Sequence, residues 1–586
     1  MRWRRLAVAA CCLQAYCPLR LLSAQDSATT FAATPVTVAP NSIVCTGQKI
    51  SDIIVVAQPP YTVKLPGDLE IVRTLVRKLH SNTRDIVVRR YMLLNVGDKC
   101  DEVRRAESER IMRAQPFFVD ARVLAYDDGH GGVRLEVTTR DEFSLLVEPL
   151  VSFKSPNLRA LRLGESNLLG NAMYAAVNWR RSFFYRDEYG IRFEHYQFGG
   201  ERNVFRMHAI QRSQGHDFNF EALRPYLTDL QHVAWRAGIG GTRSYEDLVR
   251  PGLDDNAIGV NHVFQDIGAV GRIGTIGHLK LLGLSLTREL VTIDDHTVLV
   301  TDSGYRTDIT APPTTVFHNL DVTRINALMG IRGLRFARVN GFDALNGVQD
   351  IRVGLQVGML YGRSVQALGA KDHDSFLLGD LYAGYGNPHS FLGFQVLSEA
   401  RRDRSTNQWV GVLSSGRFAW YLKPATKQLT LAEILWSSGY NVQVPFQVSF
   451  GDWDGGLHGF RKSTVPGAHR AVFRLEQRAL IPSRYNIADF GAAVFVEAGK
   501  LWAGDVPYAV TSPVRGSVGV SLLAAVPPHS RRLWRVDFAM PMGGDPNAKF
   551  EIRITNEDRT RAFFKDPSDV RRARERAVPT SLFNWP

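Results

Sequence analysis

The sequence predicts an all-β transmembrane barrel preceded by one small α/β domain. Three observations carry this. Apolar residues alternate with polar or small ones at period two through residues 142–564, with no helical region between. No apolar run of about 18 residues occurs beyond the N-terminus, which excludes a helical membrane protein. The first 25 residues read as an export signal. The 45% hydrophobic content and mean hydropathy of −0.14 are those of a soluble chain. A barrel keeps that average because only alternate strand residues face lipid. The 50 Gly, 31 Phe, 18 Tyr and 10 Trp suit strands, tight turns and interfacial girdles.

Each segment follows in order. Arg2, Arg4 and Arg5 form a basic start, Leu6 to Tyr16 is mostly apolar or small, and Leu22-Ser23-Ala24 offers a cleavage point, so residues 1–25 are assigned as signal. Val8-Ala9-Ala10-Cys11 resembles a lipoprotein box behind a very short apolar segment. Residues 26–47 are expected to be a linker, rich in Ala, Thr, Ser and Pro up to Pro40. Of five cysteines, Cys45 and Cys100 remain after cleavage. An oxidising compartment permits a disulfide between them, and two buried thiols fit equally.

Residues 48–141 read as the small domain. Ile50 to Val56 is a β-branched strand. Leu69 to His80, Asp85 to Leu94 and Asp101 to Ala114 carry helical spacing. In the last, Val103, Ala106, Ile111 and Ala114 are expected to face the core, with Arg104, Arg105, Glu109 and Arg113 outside. Val119 to Ala125 and Val133 to Val137 alternate about the turn Asp127 to Gly132, a hairpin.

Residues 142–564 then alternate, as in Val233 to Ile239, Ile351 to Val357, Trp534 to Met540 and Phe550 to Ile554. A soluble sandwich alternates too. The barrel is favoured by the length of the strand region, by charges of both signs on the polar face, and by unequal connections. Long polar loops are expected at Ser244 to Asn261 and Ser398 to Gln408. The net charge of +13 is spread along the chain without a nucleic-acid-binding pattern, so it is assigned to a surface near anionic lipid head groups rather than to nucleic acid.

At this point the chain resembles the BamA/TamA family of outer-membrane proteins (the bacterial surface antigen family). Val96-Gly97-Asp98, Glu107-Ser108-Glu109-Arg110 and Pro116-Phe117-Phe118-Val119 follow the order of a POTRA domain. Glu165 to Gly170 resembles a motif near the first barrel strands. Gly456-Leu457-His458-Gly459-Phe460 resembles the inward-folded loop motif. Arg474 to Arg478 and Phe495 to Gly499 resemble the two strands facing that loop, and Arg535 to Pro541 a penultimate strand. The resemblance implies a POTRA domain and a barrel of about 16 strands. It also implies that the loop is pinned to acidic wall residues Glu476 and Glu497 by charge-assisted bonds. His458 stands where the family carries Arg, with Arg461 as a substitute. An imidazole there would make the pinning sensitive to pH near neutrality. The barrel is expected to end at Phe563-Phe564, leaving 565–586 as a basic tail in the periplasm, solvated or in contact with a partner or lipid.

The resemblance implies insertion or translocation of polypeptides at the outer membrane, by an accessory paralogue because only one POTRA domain is present. The partners would be unfolded clients captured by the POTRA domain and outer-membrane lipid or lipopolysaccharide. Rival readings are a passive channel or surface antigen and a lipid-handling envelope protein. No catalytic motif is found and no cofactor is implied. Asp294-Asp295-His296 and Asp372-His373-Asp374 offer metal-ligand types without further ligands, so no metal is assigned.

Overall fold

A computed structural model describes residues 41–61, 70, 74, 80–152, 157–182, 186–249, 256–301, 304–308, 317–483 and 487–582. The signal, the lipoprotein-like box and the linker up to residue 40 lie outside these residues, as does most of the helix expected over 69–80.

The small domain begins earlier than residue 48. Ser42–Ile43 and Thr46–Gln58 are already strands. The polar run Thr46-Gly47-Gln48 hides this start from an apolar-pattern reading. The sheet runs in the order Ser42–Ile43, Phe118–Asp127, Val133–Asp141, Thr46–Gln58, Lys99–Asp101. Val133–Asp141 is antiparallel to Phe118–Asp127 and parallel to Thr46–Gln58. The expected hairpin is present, its turn closed by the Asp128 carboxylate accepting from the N–H groups of His130 and Gly132. One sheet face packs Val123, Leu135 and Val137 on Val87, Val88 and Tyr91 of the Asp85–Tyr91 helix and on Ile111 and Met112 of the Glu102–Arg113 helix. Asp101 caps the second helix by accepting from Arg104 N–H. Cys45 and Cys100 are joined in a disulfide with Cα atoms 5.0 Å apart.

The expected face of the Glu102–Arg113 helix is corrected. Val103 is 48% exposed and Ala106 is exposed, whereas Glu109 and Arg113 are buried. The cause is a second contact that period-3.6 reasoning does not contain: this helix docks its charged side on the barrel rim. Arg113 pairs with Asp350 at 2.9 Å, Arg338 pairs with Glu109, and Arg110 stacks 4.0 Å from the Phe336 ring and donates to the Leu227 carbonyl.

Beyond Ser144 one antiparallel sheet closes on itself. Among the described residues it holds 21 strands, of which Gly304–Thr307 only extends the end of its predecessor, so 20 run between the two ends. The expected count of about 16 is therefore overturned. The first six barrel strands, between Leu145 and Arg224, are only 8 to 13 residues long, so the same length of chain accommodates more of them. The last strand is Glu551–Glu557, so the barrel wall ends before Phe563. The expected loops at 244–261 and 398–408 are mostly strand, since Val233–Asp247, Asn256–Thr275 and Ser390–Asp403 run into them. The alternation of 351–357 breaks at Gly354, whose φ is +126°: Ile351 and Val353 are buried but Leu355 is 44% exposed. A Cβ there would lie 2.1 Å from the Gly333 carbonyl oxygen, so only glycine fits the irregularity.

The barrel is apolar outside and charged inside. On His278–Thr301, Leu282, Leu284 and Leu286 are exposed while Ser285, Thr287 and Glu289 are buried. On Asp489–Trp502, Val494 and Val496 are outward and Glu497 inward. A contiguous apolar exterior of this extent fits lipid, where an exterior Arg or Lys costs about 2–4 kcal/mol at mid-bilayer. The arginines follow that cost: Arg324, Arg332, Arg470, Arg478 and Arg535 are buried in the interior. Buried Asp and Glu accompany them, among them Glu289, Glu433, Glu476, Glu497 and Asp537, so the interior charges are of both signs. The small domain covers the end where the connections are short. The connections at the other end include the longest described one, 441–468.

Candidate functional site in the lumen

The 441–468 connection folds back into the barrel. Its base is closed by paired hydrogen bonds between Val448 and Gly467, each 2.9 Å. Phe446, Val448, Phe450, Leu457 and Phe460 are buried against Leu413, Val472 and Leu501 of the wall. The Asp452 carboxylate accepts from the N–H groups of Asp454 and Gly455, turning the chain into the Gly456-Leu457-His458-Gly459-Phe460 motif. Gly459 has φ of +84°, and a Cβ there would lie 2.8–3.0 Å from the Pro541 ring, so glycine lets the loop lie flat on the penultimate strand.

His458 is 4% exposed and sits between two wall carboxylates. Its Nδ1 lies 2.9 Å from Glu497 Oε1 and its Nε2 lies 3.4 Å from Asp537 Oδ2. Its backbone N–H donates to Glu497 Oε2 at 3.0 Å, and the Gly459 N–H donates to Glu551 at 2.6 Å. Both imidazole nitrogens face acceptors, a geometry that suits two N–H donors. From His458 a chain of alternating charge runs both ways along the wall. One arm passes through Glu497, Arg474, Glu433 and Arg417. The other passes through Asp537, Arg535, Glu476 and Arg478. Loop and wall thus share one electrostatic network across five strands.

Two expected roles change. Glu476 is buried at 1% exposure, but its partners are Arg478 and Arg535, both on the wall. It reaches the loop only through Arg535 and Asp537, because it lies two residues along the strand from Arg474, the residue beside Glu497. Arg461 does not replace the family's Arg: its guanidinium lies 5.0 Å from the Trp453 ring. Asp537 and Glu551, which hold the loop directly, were missed. The signal for Asp537 was present in the inward alternation of Arg535 and Asp537.

The tail is the larger correction. It does not run free in the periplasm. From Asp558 it enters the lumen, where Phe563 lies against Tyr382 and Arg417. The Asp452 carboxylate of the loop accepts from Asp569 N–H and from the Ser568 hydroxyl, and Asp569 pairs with Arg470 of the wall. Val570 packs into the loop's apolar cluster. Farther on, Arg574 pairs with Glu399, Glu575 with Arg324, and the N–H groups of Arg576 and Ala577 donate to Glu289. Leu582 ends in a pocket of Tyr226, Val270 and Leu279. Four arginines in a short tail read as a solvated run in sequence. Arg572, Arg574 and Arg576 find partners on strands far away in the chain, so no local pattern announces them.

Loop and tail do not fill the lumen. A cavity of about 680 Å³ remains beside the first and last strands, bordered by Glu148, Arg162, Arg192, Arg206, Trp453 and Glu557. The carboxylates of the acidic–histidine triplets have other partners. Asp294 pairs with Arg243, Asp374 with Arg324, and Asp372 accepts from Asp321 N–H. Among the described residues no three His, Cys, Asp or Glu side chains converge as metal ligands.

No family model matches the chain, and no curated protein matches it. Among solved structures, BamA from Haemophilus ducreyi lacking POTRA domains 1–3 aligns over 86% of this chain and 83% of its own at 11% identity and a TM-score of 0.37. CdiB from Acinetobacter baumannii aligns over 86% and 72% at 8% identity and 0.37. CdiB from Escherichia coli aligns over 89% and 92% at 10% identity and 0.34. The chain is thus similar to solved BamA and CdiB barrels over most of its length.

Proposed function

We propose that this chain inserts or translocates polypeptides at the bacterial outer membrane as an accessory member of the BamA/TamA type, its small domain acting as a periplasmic POTRA domain. The observation that carries the reading is the division of the lumen. One part is closed by the pinned loop, and a charge-lined cavity borders the seam between the first and last strands. Those two strands, Leu145–Ser152 and Glu551–Glu557, are the shortest that run between the barrel ends, with 8 and 7 residues. A short ladder is the least costly place to part a barrel, since each residue pair contributes backbone hydrogen bonds. Clients reach the seam by strand addition to the small domain. Among the described residues no strand pairs with the outer edge of Thr46–Gln58 beyond Lys49, and backbone pairing there needs no particular client sequence. The apolar exterior contacts outer-membrane lipid and lipopolysaccharide.

The passive-channel reading is disfavoured by a lumen occupied by loop and tail. The test is reconstitution. Proteoliposomes containing the full chain should fold a urea-denatured outer-membrane barrel faster than empty liposomes, scored by heat-modifiable gel mobility. Equal folding rates would overturn the proposal.

A further inference from the structure

A barrel of 20 strands encloses a lumen that is either water-filled or occupied. Here the occupant on the side away from the seam is the chain's own C-terminal segment. It starts at the small-domain end with Asp558. It climbs to Arg572, paired with Glu246 at the far end of Val233–Asp247, and returns to Leu582 beside Leu279 at the small-domain end. The wall opposite it alternates in sign with it. Basic Arg572, Arg574 and Arg576 meet acidic Glu246, Glu399 and Asp217, and acidic Asp569 and Glu575 meet basic Arg470 and Arg324. Those wall residues come from five different strands, which makes the match a property of the assembled lumen rather than of one hairpin.

We infer that residues 558–582 are a built-in plug that closes the pore to ions, and that withdrawing the plug opens the barrel. The mode of attachment fits a removable part. Among the described residues the segment pairs with no barrel strand, so its exit breaks no ladder. It is held by ion pairs and by small apolar anchors at Val570 and Leu582. Buried ion pairs give back much of their attraction as hydration when water replaces the partner, so release costs far less than unfolding a strand. The plug also touches the loop through Asp452, with Asp454 facing Lys565 and Arg571. This holds whatever the client is, and its failure would leave the proposed insertion activity standing.

The experiment is single-channel recording in planar bilayers. The full chain is compared with a chain ending at Phe564 and with full-length Arg574→Ala/Glu575→Ala/Arg576→Ala, each shown folded by heat-modifiable mobility. The full chain should be nearly silent. The truncated barrel should show sustained openings of several-fold larger conductance, and the triple variant should open several-fold more often. A folded truncated barrel as silent as the full chain would overturn the inference. Should the truncated chain not fold, the triple variant decides, and an unchanged opening frequency overturns it. A Ser415→Cys/Asp566→Cys pair, whose parent side chains are hydrogen-bonded, should cross-link in membranes and hold the pore silent. Failure to cross-link in the folded protein would place the tail elsewhere and equally overturn it.

Discussion

His458 joins loop and wall by contacts from its ring and its backbone, and the two kinds separate under mutation. His458→Ala keeps the N–H to Glu497 but loses both ring contacts, leaving Asp537 with Arg535 and Ser521. The cost should be about 1–3 kcal/mol of loop docking, read as faster protease cleavage within 441–468 of the folded barrel. His458→Arg should retain protection, because a guanidinium can engage both carboxylates. Glu497→Ala should expose the loop more than Glu476→Ala, since only Glu497 touches it. Equal cleavage of the two would contradict the assignment. At this scale the sequence was partly legible. Glu497 meets His458 of the Gly456–Phe460 motif, and Asp537 lies within the motif Arg535 to Pro541. Which of two inward acids on neighbouring strands meets the loop depends on strand register, and alternation alone does not carry register.

Among elements, the Glu102–Arg113 helix shows how a second interface alters an amphipathic pattern. Glu107 is half-buried, which alone would raise its carboxyl. The Arg110 guanidinium and the Thr228 hydroxyl beside it hold it below the ordinary carboxylate range. A lowered folded-state value means that its contribution to docking is present above the unfolded value and is lost as pH falls. Contacts between the small domain and the barrel should therefore loosen below about pH 4, seen as increased protease cleavage of residues 41–141 in the otherwise folded protein. Resistance unchanged down to that pH would count against this contribution. Arg113→Ala strips Asp350 of its partner and should weaken docking by about 1.5–3 kcal/mol, by the same readout. The helix core residue Ile111 and the hairpin were legible from spacing. The charged face was not, because a domain–barrel contact leaves no periodic trace.

For the whole molecule, alternation identified a barrel because an inside-out sheet still repeats every second residue. It did not set the strand number, because strands here range from 7 to 24 residues. It was silent on the tail, whose charges are matched only once the barrel closes. What the assembled molecule offers is a seam beside a charge-lined cavity, a loop pinned by His458 and a lumen otherwise occupied. That arrangement suits a factor whose clients leave sideways into lipid rather than a pore through which solutes pass. The most direct measurement is quantitative outer-membrane proteomics after depletion of this protein. Selective loss of a few barrel or surface proteins, with the rest unchanged, is the predicted result. An outer-membrane proteome identical to that of the undepleted cell would contradict it.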